Sequence, residues 1–244
     1  MPDPATSPAV VIPTYNESEN IVRLVDAILA LPLGAHVVVV DDNSPDGTGR
    51  LLDEYAARDS RLHVVHRPAK LGLGTAHIAG IRRAQELGLD PIGTMDADFS
   101  HHPRYIPDLV AGLEQSDVMI GSRYVPGGGT RDFKLHRRLL SRGANAFARG
   151  LLGLEPADCT AGFRFYRREA LAAVDLDQIF SNGYSFLIEI LYLVQASGAA
   201  VGETPILFED RREGVSKISR KEIARAIYTV LRLFVQRGRI RAPA

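Results

Sequence analysis

Short apolar runs alternate with segments of helical period along the first half of the chain, and each run ends on polar or acidic residues. Ala9–Ile12, His36–Val40, Leu62–His66, Ile92–Met95 and Val118–Ile120 read as five strands. Between the first two, Ile21, Leu24, Val25, Ile28 and Leu29 fall at i, i+3, i+4, i+7 and i+8. Asn16 with Glu19 reads as a capping box before that helix, and Pro32 follows its end. Further helices are expected near Arg50–Ala57 and over Thr75–Leu87. Such alternation predicts an α/β fold: a Rossmann-like, mostly parallel sheet with helices on both faces. The 244 residues suit one large domain, and an apolar share of 45% is ample for its core.

Ligands of such sheets bind beyond the carboxyl ends of the strands. Tyr15, Asn16 and Glu17 fall there after the first strand, Asp41 and Asp42 after the second, Asp96 and Asp98 after the fourth. Asp96-Ala97-Asp98 is the strongest local signal. Alternate residues project to one side, and hard divalent ions take one or two carboxylates together with substrate phosphates. Asp41-Asp42 can accept hydrogen bonds from a base or ribose, or can equally serve as negative charge at the start of the next helix. Gly72-Leu73-Gly74 is no dinucleotide fingerprint, because His77 stands at the third glycine position and the segment follows the third strand.

Net charge is balanced at 29 basic and 29 acidic residues, so it singles out no partner and gives no sign of nucleic acid. The distribution is more informative. Arg123, Arg137, Arg138, Arg211, Arg212 and Lys217 suit phosphate oxygens, or stand as solvated surface cations. Arg211 and Lys217 flank Gly214, which predicts a loop able to close over a phosphate. Pro126–Thr130 is rich in glycine and is expected to be a mobile loop. From Lys217 onward there are eight basic residues and one acid, Glu222. Within that stretch Ile223, Ile227, Val230, Leu231 and Phe234 keep helical period, with Lys221, Arg225 and Arg232 on the other side. This is a basic amphipathic helix fit for a membrane interface, or an ordinary helix packed on its own domain. One cysteine, Cys159, excludes an intrachain disulfide. Met1–Pro8 lacks the basic start and apolar run of a secretory signal, and no apolar stretch reaches the length of a membrane span. The expectation is a cytoplasmic body with peripheral membrane contact.

Several ordered motifs resemble family 2 glycosyltransferases, in particular the dolichyl- or polyprenyl-phosphate mannose synthases. They are VVIPTYNE at Val10–Glu17, VVVDDNSPDGT at Val38–Thr48, GLGTA at Gly72–Ala76, MDADFSHHP at Met95–Pro103, GSRYVPGG at Gly121–Gly128, RRLLSRGAN at Arg137–Asn145 and DCTAGFR at Asp158–Arg164. The resemblance implies a GT-A fold and inverting transfer of mannose from GDP-mannose to a polyprenyl monophosphate. It implies that Pro13, Tyr15, Glu17, Val40 and Asp42 hold the guanosine, and that Asp96, Ala97 and Asp98 form the diphosphate and metal site for Mg²⁺ or Mn²⁺. Arg123, Arg137, Arg211 and Lys217 would grip the donor diphosphate or the acceptor phosphate. Asp98, Arg123, Arg137 and Lys217 would thus be the catalytic set. Some relatives carry Gln as a metal ligand where this chain has Ser100, followed by His101 and His102, so Ser100 would contribute a weaker hydroxyl or water-mediated ligand. Relatives with membrane spans differ from this chain, which resembles a short peripheral type that leans on a membrane-anchoring partner. The rival donors are UDP-glucose or UDP-N-acetylglucosamine, and the rival class is a non-catalytic nucleotide- or lipid-binding homologue.

The expected division is a flexible N-terminus at 1–8, a GT-A domain at 9–218, and a basic amphipathic helix and tail at 219–244. Within the domain, 9–122 is the nucleotide-binding half and 123–218 the acceptor half.

Overall fold

The computed structural model describes residues 7–131, 135–209 and 220–237. In chain order the elements are β1 (Ala9–Thr14), α1 (Ile21–Leu29), β2 (His36–Asp41), α2 (Thr48–Ala56), β3 (Leu62–His66), α3 (Leu73–Glu86), β4 (Ile92–Thr94), α4 (Ile106–Gly112), β5 (Val118–Ser122), β6 (Gly129–Arg131), α5 (Leu135–Leu152), β7 (Arg164–Tyr166), α6 (Arg168–Ala172), α7 (Phe186–Ala196), β8 (Val201–Pro205), β9 (Leu207–Glu209) and α8 (Arg220–Gln236). The five expected strands and the three expected helices are present, with ends shifted by one or two residues. Arg211, Arg212, Gly214 and Lys217 lie outside the described residues.

Seven strands form one sheet in the order β3-β2-β1-β4-β7-β5-β8. β1 pairs in parallel with β2 (Val11 opposite Val38) and with β4 (Val11 opposite Thr94). β7 is the exception. It runs antiparallel between β4 and β5, with Phe165 opposite both Gly93 and Met119. The sheet is therefore mixed, though mostly parallel. Three residues are too short a run to announce a strand by pattern, although Phe165 and Tyr166 favour one, so β7 exists through its two neighbours.

Strand alternation sorts the core into two layers. Val10, Ile12, Val37 and Val39 face α1, α2 and α4. Ala9, Val11 and Val38 face α3 and, further along the sheet, α5, α7 and α8. Val37 to Val40 are all fully buried, as a strand covered on both faces requires. Each such side chain contributes roughly 1.5–3 kcal/mol. α3 lies very close to the sheet: a Cβ at Gly80 would stand 2.2 Å from Val11 Cγ1, so only glycine fits there. That approach fixes where the N-terminus of α3 meets the strand ends.

Three local expectations are corrected. Asn16 caps no helix: its φ is 61°, its N–H donates to Ser44 Oγ, and α1 begins only at Ile21, without a side-chain cap. The chain must first turn over the end of β2. Gly129 and Thr130 are not loop but the start of β6, which pairs in parallel with β9 as a two-stranded ribbon. Of the expected flexible N-terminus, residues 1–6 lie outside the described residues. Ser7 and Pro8 are buried, and their carbonyls accept from Asp90 N–H and His36 N–H.

α8 buries Val230 and Leu233 but leaves Ile227, Tyr228, Leu231, Phe234 and Val235 between 45% and 81% exposed. Leu135, Leu139 and Leu140 of the adjoining α5 are likewise exposed. Among the described residues no helix is long and apolar enough to cross a membrane.

Candidate active site

Strand order reverses at β1, with β2 on one side and β4 on the other, all parallel. The crevice beyond the carboxyl ends at such a switch point is the expected ligand site. Backbone geometry agrees. Among the described residues the non-glycine residues with positive φ are Asn16 (61°), Asn43 (57°) and Phe99 (58°), one just past each of β1, β2 and β4. Asparagine tolerates this region, but a bulky residue such as Phe99 pays roughly 1–3 kcal/mol for it.

The ends of β1 and β2 are tied together by hydroxyls and carboxylates. Thr14 Oγ1 donates to Asp41 Oδ1 at 3.2 Å, and Asp41 also accepts the N–H and hydroxyl of Ser44. Glu17 N–H donates to Thr48 Oγ1, and Ser18 N–H to Asp46. Burial raises the Asp46 carboxyl, but the hydrogen bonds from Thr48 and Ser18 together outweigh it and bring it down to about 2. Asp41 is thus a structural carboxylate of this turn, while Asp42 faces the other way. Arg67 Nε donates to Asp42 Oδ1 at 2.5 Å, and the same guanidinium donates to Thr75 Oγ1 and the Gly72 carbonyl. Both side chains of this pair are more than nine-tenths buried. Pro13 and Val40 lie opposite each other in the β1–β2 register, and Tyr15 projects just beyond it.

Past β4, Ala97 is buried in the core layer under α1, α2 and α4 while Asp96 and Asp98 stay partly exposed, so the alternation expected of this motif is realised. Ser100 is buried, and its N–H donates to Asp98 Oδ1 at 3.0 Å, closing the turn. His101 lies beneath, stacked on Phe163 and edge-on to Phe208, with Nδ1 3.8 Å from Asp96 Oδ2. That nitrogen is buried without a hydrogen-bond partner in the protein. Burial pushes His101 down to about 4, with Arg123 acting in the same sense against the opposing pull of Asp98.

Arg123 follows β5 and takes a position that spacing did not reveal. Its Nε and one terminal nitrogen form a fork on Asp158, each at 2.7 Å, and its backbone N–H donates to the same carboxylate at 3.1 Å. The guanidinium also lies 5.3 Å and 5.5 Å from the Tyr124 and Phe208 ring centres. Burial opposes both charges, yet each partner outweighs it, holding Arg123 above its ordinary range and Asp158 below. The 157–160 turn carrying Asp158 is held in turn by Glu203, which accepts from Ala157 N–H and Asp158 N–H. Asn145 accepts from Cys159 N–H and donates to Thr160. The wholly buried Arg164 donates to the Cys159 and Leu187 carbonyls. Arg137 sits half-buried on the first turn of α5.

The sequence motifs contained His101 and Asp158 but not Arg67, and nothing in the spacing tells which opposite charge each of the three meets. Their contacts cross 25, 5 and 35 residues. Thr94 Oγ1 donates to the Gly162 carbonyl, which brings the segment before β7 against Asp96.

The family model described as glycosyl transferase family 2 matches residues 9–174. Polyprenol monophosphomannose synthase of Mycolicibacterium smegmatis is 43% identical over 245 residues, covering 98% of this chain and 92% of that protein. Undecaprenyl-phosphate mannosyltransferase of Micrococcus luteus is 41% identical over 222 residues, covering 91% of each. Among solved structures, glucosyl-3-phosphoglycerate synthase from Mycobacterium tuberculosis, in complex with Mn²⁺, UDP and glucosyl-3-phosphoglycerate, superposes with a TM-score of 0.64. That match spans 98% of this chain and 81% of the other at 21% identity, a likeness of fold.

Proposed function

We propose, because the chain belongs to glycosyl transferase family 2, that it transfers mannose from GDP-mannose to the phosphate of a polyprenyl monophosphate, with inversion at the anomeric carbon. The observation that carries this reading is the placement of Asp96 and Asp98 at the switch-point crevice, beside Tyr15–Glu17 and Asp42. The two curated relatives, named for mannose transfer to a polyprenyl phosphate, support the choice of sugar and acceptor.

Mg²⁺ or Mn²⁺ fits the donor set of this crevice: two partly exposed carboxylates, with the partnerless Nδ1 of His101 buried behind Asp96. Among the described residues no three His, Cys, Asp or Glu side chains converge to hold an ion by themselves. Asp96 and Asp98 would hold the ion with diphosphate oxygens completing its shell, and Ser100 would orient Asp98 through its N–H. When bound, the ion would supply neutralising charge to the departing diphosphate.

The chain's own residues supply position. Tyr15, Glu17, Asp42 and Pro13 would surround the nucleoside end, with the fully buried Val40 supporting them from the strand beneath, and Ala97 keeps the floor of the crevice apolar. Arg137, with Arg211 and Lys217 outside the described residues, would hold two mutually repelling phosphate groups, while Arg123, committed to Asp158, would frame the site and add its charge from behind. An acceptor phosphate oxygen bonds to the anomeric carbon as the bond to the GDP oxygen breaks, and that oxygen keeps the electron pair. A phosphate monoester has its second pKa near about 6, so it arrives ionised and needs no general base. His101, held near 4, would be a poor one at neutral pH. Catalysis then rests on orientation and charge. The exposed apolar residues of α5 and α8, beside Arg137, Arg138 and Arg225, support peripheral contact with the membrane that holds the acceptor. A membrane-anchoring partner protein would add to that contact.

The test is turnover with radiolabelled GDP-mannose, a short polyprenyl phosphate and Mg²⁺, with UDP-glucose in parallel, followed by lipid extraction. Labelled lipid from GDP-mannose alone is expected. Asp98→Ala should lower turnover on the order of a hundredfold at unchanged melting temperature. Near-normal turnover in that variant contradicts the role given to Asp98.

A further inference from the structure

We propose that Lys70 is a further donor-specificity residue, its ammonium reading the acceptor edge of a guanine base; this rests on the reading of the donor above. Lys70 Nζ lies 3.9 Å from the centre of the Tyr15 ring. It thus bridges the end of β1 and the loop after β3, across the mouth that Asp42 closes from β2.

The backbone beneath Lys70 is pinned. Arg67 N–H donates to the Asp41 carbonyl, Asn43 Nδ2 to the Pro68 carbonyl at 3.1 Å, and Asn182 Nδ2 to the Leu71 carbonyl at 3.2 Å. Gly72 has φ 108°, and a Cβ there would stand 2.3 Å from Asn182 Oδ1, so the loop cannot rearrange around a larger residue. The side chain of Lys70 is exposed on this fixed base. Its four-carbon stem lets the ammonium move a few ångströms without moving the backbone.

The chemistry of the three groups matches guanine better than any other common base. Guanine presents O6 and N7 as adjacent acceptors, beside donors on the same ring system. Asp42 offers a carboxylate to the donors, Lys70 offers an ammonium to the acceptors, and Tyr15 offers a ring face for stacking. Adenine places an amino donor where guanine has O6, so it would turn that donor toward the ammonium. A base entering over Tyr15 displaces the ammonium from the ring face, and O6 with N7 provides the place for it to settle. Arg67 is already committed to Asp42, Thr75 and Gly72, which leaves the reading of this edge to Lys70.

The experiment is calorimetric titration of GDP, IDP, ADP and UDP, each with Mg²⁺, into the full chain and its Lys70→Met and Lys70→Arg variants. IDP keeps O6 and N7 but lacks the exocyclic amine. Lys70→Met should weaken GDP and IDP alike by roughly tenfold and leave ADP and UDP unchanged. It should raise KM for GDP-mannose with little change in kcat, and Lys70→Arg should restore most of the preference. Equal weakening of all four nucleotides would make Lys70 a diphosphate contact and overturn the assignment. Unchanged or tighter GDP binding would overturn it too, leaving the ammonium a mere cover on Tyr15. Wild-type protein that prefers UDP overturns the donor reading and this inference together. Wild-type protein that prefers GDP, with Lys70→Met behaving identically, sinks only the role of Lys70.

Discussion

Two buried aspartate–arginine pairs stand at opposite sides of the crevice, and they are built differently. Asp158 is fully buried and gives both oxygens to Arg123, plus a backbone contact, inside a turn fastened by Glu203, Asn145 and Arg164. Asp42 gives one oxygen to Arg67, whose other nitrogens reach a hydroxyl and a carbonyl on a glycine-rich loop. The first pair is a closed strut that ties the end of β5 to the 157–160 turn. The second is an open arrangement in which charge is fixed but recognition capacity remains. A buried ion pair therefore does not define a role; what its surrounding hydrogen bonds leave unfilled does.

The comparison breaks most sharply at Asp158. Asp158→Ala leaves a nearly buried guanidinium uncompensated, and the expected loss is about 3–5 kcal/mol of folding stability. Denaturant unfolding measures it, and a loss well under 1 kcal/mol would remove the distinction between strut and recognition group. Asp42→Asn is the sharpening counterpart. Arg67 keeps two partners and an amide oxygen, so a smaller stability change of about 1 kcal/mol is expected, while calorimetric GDP affinity falls about tenfold. A stability loss equal to that of Asp158→Ala would make the two pairs equivalent.

His77, buried against Phe186 and without a hydrogen-bond partner, has an effect that is absent at neutral pH and appears only in acid. Burial, and then the charge of Arg164, push its pKa down to about 3. The unfolded chain takes up that proton near pH 6.5, and the folded chain only near 3. His77 therefore favours unfolding progressively as pH falls through that window, and has no effect above it. Melting temperatures of His77→Gln measured from pH 7 to 4 should decline less steeply than those of the native chain. Parallel declines would show that this imidazole does not set the acid limit.

What the sequence made legible follows the range of the forces involved. Four consecutive valines at 37–40 announce a strand buried on both faces, and the period of Ile21 to Leu29 announces a helix, because both signals are local. The acidic ends of β1, β2 and β4 were readable for the same reason. Asn16 was misread as a cap because side-chain type is local but its partner, Ser44, is not. β7 and the ribbon of β6 with β9 depend on neighbours far along the chain, and no three-residue stretch encodes them. Arg123 was legible as a cation just past β5, yet its fork on Asp158 depends on a turn 35 residues away.

The backward-running β7 has a consequence for the order in which this protein can become active. Until residues 164–166 slot in, β4 is a raw sheet margin with unpaired amides, a template for the wrong neighbour. A chain emerging from the ribosome would complete the β1–β2 side of the crevice well before the strand that brings Gly162 beside Asp96. Because that late insertion is a contact of long sequence separation, it closes slowly relative to the helices. Competence at the acidic crevice is thereby withheld until most of the polypeptide has been made, and a prematurely terminated product would be an adhesive fragment without activity.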